Sequence, residues 1–184
     1  MLKYTLLKNF RSPYSKIFFL FILISTVMLR GEAQQSINYA LEANIIYRFT
    51  KYIDWSYSKK SGDFTIGIVG DEPFYDVLEH FVENKTVDDR RIVVKNSSTE
   101  VDFLNCDILF ISEEKSNRLK SIAAITKDVS VLIVTESSGL ASKGSCINFS
   151  VVNDHLKLEI NKNNIEQRNL NIATELLSLG TIVK

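Results

Sequence analysis

One stretch, Phe64-Thr-Ile-Gly-Ile-Val-Gly-Asp-Glu-Pro-Phe74, restricts the fold more than any other. Phe64, Ile66, Ile68 and Val69 form a β-prone run too short for a helix. Gly70 suits a sharp turn, and Pro73 suits the first turn of a helix. Strand, turn and helix in that order build α/β sheets, whose ligands bind beyond the carboxyl ends of the strands. Gly67 and Gly70 invite comparison with a phosphate loop, but the charges oppose it. A phosphate needs the free amides of a helix N-terminus, and Asp71 and Glu72 stand at that position. They would cap the amides and repel the anion. The glycine spacing is also too short for a nucleotide fingerprint, and no Lys-Ser/Thr follows.

The chain before this stretch divides in two. Residues 1–33 read as a secretory signal peptide: Lys3, Lys8, Arg11 and Lys16, then the apolar run Ile17–Leu29, then Gly31-Glu32-Ala33 with small residues at a cleavage site. The apolar run is shorter than the roughly 20 residues of a membrane span, although an uncleaved N-terminal anchor is the alternative. The expected domain is residues 34–184, long enough for one core. The leader holds five of the 22 basic and one of the 22 acidic residues, so the remainder carries 17 against 21, a net charge of −4. That argues against a general nucleic-acid or anionic-membrane surface.

Tyr39–Trp55 lacks Gly and Pro and repeats apolar residues at helical spacing (Ala43, Ile46, Tyr47, Thr50, Ile53, Trp55), with Glu42, Arg48, Lys51 and Asp54 on its other side. A second helix is expected over Pro73–Val82 and a polar loop over Asn84–Asp89. Strands follow at Ile92–Lys95, Cys106–Ser112 and Val129–Thr135. A short helix is expected after Asn96–Thr99, and a third helix capped by Ser116 or Asn117. Cys146–Val151 and Leu156–Ile160 alternate across Asn153-Asp154 and predict a hairpin. Leu170–Val183 predicts a closing helix. The expected fold is an α/β class, three-layer α/β/α sandwich with a mostly parallel sheet and a C-terminal antiparallel hairpin at one edge.

Catalytic patterns are missing. There is no Gly-x-Ser-x-Gly, and His80 and His155 lack the partners a general base needs. Asp71-Glu72 and Asp88-Asp89 are explained by capping and solvated loops. No enzyme, no cofactor and no metal site is expected, because the two cysteines and two histidines lie at no metal-ligand spacing. Cys106 and Cys146 could form a disulfide in an oxidising compartment or pack as two buried thiols. Tyr47, Phe49, Tyr52 and Trp55 are too many rings for one core on one short helix, so some are candidates for partner contact.

The order of these motifs resembles the YfiR family. Glu42-Ala-Asn-Ile-Ile-Tyr-Arg-Phe-Thr-Lys-Tyr-Ile-Asp-Trp55 is similar to the family's opening helix, and Phe64–Phe74 to its first strand and turn. Cys106–Ser112, Leu132–Thr135, Gly144–Phe149, Leu158–Asn161 and Leu176–Leu179 resemble later blocks, so the likeness spans the chain after the leader. The resemblance implies a periplasmic signalling regulator. Such a protein binds and inhibits the extracytoplasmic part of an inner-membrane sensor, a diguanylate cyclase or a histidine kinase. With a diguanylate cyclase, it lowers cyclic-di-GMP output and biofilm matrix production. An outer-membrane lipoprotein partner and a homodimer are also implied. Family disulfides use more cysteines than the two present here. Candidate partner contacts are Tyr47, Tyr52, Trp55, Glu159 and Asn161. The competing expectation is a small-molecule-binding sensory module.

Overall fold

The computed structural model describes residues 39–55, 61–153 and 155–184; the leader expected over residues 1–33 lies outside them. A helix of residues 39–52 (α1) runs into a short strand, Ile53–Trp55 (β1). The constraining stretch forms strand Phe64–Val69 (β2) and helix Glu72–Val82 (α2). Asp71 caps α2, its Oδ1 accepting from Phe74 N at 3.0 Å. The carboxylate thus occupies the amides a phosphate would need.

Strands Thr86–Val87 (β3) and Arg90–Asn96 (β4), helix Glu100–Leu104 (α3), strand Ile108–Ile111 (β5), helix Leu119–Ile125 (α4) and strand Leu132–Thr135 (β6) follow. The chain closes with strands Ile147–Val152 (β7) and His155–Ile160 (β8), helix Lys162–Glu166 (α5), strand Leu170–Ile172 (β9), helix Thr174–Leu177 (α6) and strand Thr181–Ile182 (β10). Eight strands make one sheet in the order β10-β8-β7-β6-β5-β2-β4-β3, and β4, β2, β5, β6 and β7 run parallel.

The direction of travel places the helices. The step from β2 to β4 moves one way across the sheet, and the steps from β4 to β5 and β5 to β6 move the other way. Right-handed crossovers therefore put α2 on one face and α3 and α4 on the opposite face. Ring contacts assign α1 to the α2 face: Phe74 of α2 lies 4.6 Å from Phe110, and Phe49 of α1 lies 6.2 Å from Phe149. The result is the expected α/β/α sandwich. Phe49, Phe64, Phe74, Phe103, Phe110 and Phe149 are fully buried and fill its two cores. Residues Glu42–Lys184 form one compact unit, and among the described residues no helix is long and apolar enough to cross a membrane.

Several local expectations fail for identifiable reasons. The first helix stops at residue 52, because Ile53–Trp55 pairs antiparallel with Leu170–Ile172. That same pairing removes the start of the expected closing helix. The remainder is broken at Gly180, whose added Cβ would lie 2.7 Å from the Ile160 side chain as β10 joins β8. A glycine inside a helix costs about 1 kcal/mol, so Gly180 argues against that helix in the sequence itself. The loop Asn84–Asp89 contains β3, turned by Asp88 and Asp89 at φ 47° and 64°, the left-handed pair that tight hairpins need. Residues Glu113–Arg118 form a 3-10 turn, and α4 begins at Leu119 with no side-chain cap from Ser116 or Asn117. The β7–β8 hairpin forms in the expected phase, Phe149 opposite Leu158. It is not the sheet's edge, because β10 adds to β8 in parallel.

Candidate interaction site

The aromatic end of α1 separates into buried and half-exposed side chains. Trp55 is 8% exposed, packs edge-on to Phe64 at 5.1 Å and donates its indole N–H to Asp107 O at 3.0 Å. Tyr47 and Tyr52 are half-buried. The Tyr47 ring stands edge-on to Phe81 at 6.2 Å, with the Lys51 and Lys85 ammonium groups 5.7 and 5.6 Å from its centroid. Such a ring offers a partner an apolar face bordered by positive charge. Tyr52 sits where its carbonyl accepts from Ala173 N at 2.8 Å, joining α1 to the segment after β9.

Glu159 and Asn161 belong elsewhere. Glu159 is paired with Asn148, which points away from the α1 face, and it accepts from Asn148 Nδ2 at 2.9 Å. Thr135 extends that polar row, donating to Asn148 Oδ1 at 2.7 Å. Asn161 is buried; its side chain caps α5 through Asn164 N and donates to Ala141 O at 2.9 Å. The sheet lies between Glu159 and the α1 tyrosines, so they do not share one patch. Cys106 and Cys146 are both buried, and no disulfide joins them. Cys106 Sγ donates to Asp102 O, and Cys146 Sγ approaches Asn164 O, so the thiols face different helices. Burial pushes the Cys146 thiol up from its ordinary value, which suppresses thiolate chemistry. Among the described residues no His, Cys, Asp and Glu group is arranged to hold a metal ion.

The structure adds a feature at the carboxyl ends of the strands. The β2–β5–β6 register continues past the strands to Gly70, Ser112 and Glu136, three residues on the α1 face. Glu42 of α1 is buried beside them, 6% exposed, and its Oε2 has no hydrogen-bond partner among the described residues. Ser112 Oγ is likewise buried without a partner among those residues. Burial first, then the charges of Glu136 and Asp71, push the Glu42 carboxyl from 4.5 up to about 8. Burial also lifts Glu136 to about 7, opposed by the Glu113 N–H, which donates to its Oε1 at 2.8 Å. These two groups take up protons within the range where ordinary carboxylates are charged. The expectation that Glu42 lies on the polar side of α1 is corrected here. Glu42, Ile46, Phe49 and Ile53 make one stripe at helical spacing, and that spacing was the available signal.

A family model described as YfiR/HmsC-like matches residues 39–181. The chain belongs to the YfiR/HmsC-like family. The match spans every strand and helix from α1 to α6 and ends on the first residue of β10. The family is periplasmic and regulatory rather than catalytic, and its members interact with a membrane-bound regulator. No curated protein matches the chain in sequence. Family membership directs attention to surfaces rather than to a catalytic cleft, and of the sequence-selected residues Tyr47 and Tyr52 present half-exposed rings.

Proposed function

We propose that this protein is exported, with residues 1–33 as its leader and residues 34–184 as the working domain, and that it acts without catalysis. It binds the extracytoplasmic part of an inner-membrane sensor, a diguanylate cyclase, and holds it inactive. Cyclic-di-GMP output falls as a result. The observation that supports this reading is the family match over residues 39–181. The mechanism is a population shift, which requires tighter binding to the inactive sensor than to the active one. Tyr47 and Tyr52 on α1 supply contacts. Buried Trp55 and Asn161, with Glu159 held by Asn148, fix the positions of the surfaces around them. An outer-membrane lipoprotein that competes for the same surface would release the sensor.

The test is deletion of the gene in its host, followed by measurement of cyclic-di-GMP. A rise that is reversed by the wild-type chain and not by a Tyr47→Ala, Tyr52→Ala double variant supports both the function and the site. An unchanged level overturns the cyclase reading. Full rescue by the double variant removes α1 from the contact.

A further inference from the structure

Two-residue β3 covers only the beginning of β4. Thr86 and Val87 pair with Arg91 and Arg90, and among the described residues no strand pairs with the outer side of Ile92–Asn96. The direction of the backbone groups follows from the inner side. Ser97 donates its N–H to Ile68 O at 2.8 Å, and backbone groups alternate along a parallel strand. Lys95 and Val93 therefore face β2, while Ile92, Val94 and Asn96 turn their N–H and C=O outward. Val94 O confirms the parity: its contact is a long one, 3.5 Å, from the Tyr75 hydroxyl.

A groove of about 480 Å³ runs along this edge, between β4 and α2. Its strand wall is Arg91, Ile92, Val93 and Val94. Four consecutive residues can line a groove only along a strand's edge, because a strand's face presents alternate residues. Its helix wall carries Asp76, Glu79 and Glu83, which share one side of α2, together with His80. Glu79 accepts from the Tyr75 hydroxyl at 2.8 Å and Glu83 lies 4.0 Å from His80 Nδ1, both exposed contacts that a basic side chain can replace. Arg91 is already paired with Asp63 at 3.1 Å. Val82 and Val94 are buried beneath the acidic row and form an apolar floor.

We propose that this edge is a docking site for an extended segment of another protein that adds as a strand to β4 and carries Lys or Arg at alternate positions. Backbone hydrogen bonds to Ile92, Val94 and Asn96 supply sequence-independent attachment. The alternate basic side chains lay their aliphatic stems over Val82 and Val94 and bring their charges to Glu79 and Glu83. A second copy of this chain fits less well. Two-fold pairing of β4 with its own image would place two acidic α2 rows side by side on one face, and like charges repel. This site is separate from the tyrosines of α1 and does not depend on the sensor being a cyclase.

The full chain, isotope-labelled, is titrated with an acetylated peptide of alternating Lys and Val. Amide shifts confined to Ile92–Asn96 and to the acidic side of α2 are expected. N-methylation of the peptide at alternate residues abolishes binding in one register, and a Glu/Val peptide does not bind. The double variant Glu79→Lys, Glu83→Lys weakens binding at least about tenfold, since two exposed charge pairs are reversed. Val94→Pro removes an outward N–H at an edge position where proline is tolerated; if it fails to fold, the N-methylated peptide makes the same test. The proposal is overturned if the shifts fall elsewhere, if the acidic peptide binds as well, or if N-methylation has no effect in any register. It is also overturned if the chain is a dimer in sedimentation and the β4 variants make it monomeric, which would assign the edge to a second copy.

Discussion

At the amino ends of the strands, Asp107 is buried with its Oδ2 accepting from Arg90 at 3.0 Å and from Thr65 N at 2.8 Å. At the carboxyl ends, Glu42 is buried near Glu136 and Asp71, and among the described residues the charges that shift it are both acidic. Burial is similar at the two ends; the partners are opposite. A buried charge that is paired and hydrogen-bonded holds elements together. A buried acid among other acids instead responds to pH, because its charged form has nowhere to go. The amino end joins β2, β4 and β5 at one ion pair. The carboxyl end leaves two polar atoms, Glu42 Oε2 and Ser112 Oγ, without partners among the described residues.

The comparison breaks most visibly at Arg90. Arg90→Ala leaves Asp107 buried and unpaired, and also removes hydrogen bonds to Gly62 O and Asp63 O. A loss of about 3 kcal/mol or more is expected in urea unfolding. The carboxyl end gives a smaller effect with a definite sign. Glu42 folds with a raised pKa, from 4.5 to about 8, so folding takes up a proton between those values. Its contribution is fully present below pH about 4.5 and is lost as the pH rises through about 8; Glu136 adds to this up to about 7. Unfolding free energy should therefore fall from pH 5 to pH 8. Glu42→Gln should flatten the profile and raise stability at pH 8 by about 1–2 kcal/mol. A profile of unchanged slope in that variant would show that Glu42 is not the titrating group. Smaller still, Ser112→Ala removes a hydroxyl with no partner among the described residues and should leave the melting temperature unchanged or raise it, by at most about 1 kcal/mol of stability. Arg91→Ala supplies the control. Its pair with Asp63 is exposed on both sides, so no measurable change in melting temperature is expected, against the collapse at the neighbouring arginine.

What was legible follows the range of each signal. β2, α2 and the β7–β8 hairpin depend on contacts within a few residues, and their glycine, proline, caps and alternation are written locally. β1 and β9 are three residues each and become strands only through each other, across more than a hundred residues. Neither has a period long enough to read. Among the site residues, the half-buried state of Tyr47 and Tyr52 fits the surplus of rings on α1. The burial of Trp55 was not legible, because its indole partner, Asp107 O, comes from the start of a distant strand.

The sequence by itself determined the α/β class, the capped rather than phosphate-binding turn at Asp71, and the family, because these rest on local patterns and their order. Only the tertiary structure decided which carboxylates are paired with a cation and which are not, and that among the described residues no strand pairs with the outer side of β4 beyond Arg91. Both are properties of neighbours brought together by the sheet order. Hydrogen-bond parity and the dielectric around a charge exist only once the strands are in register.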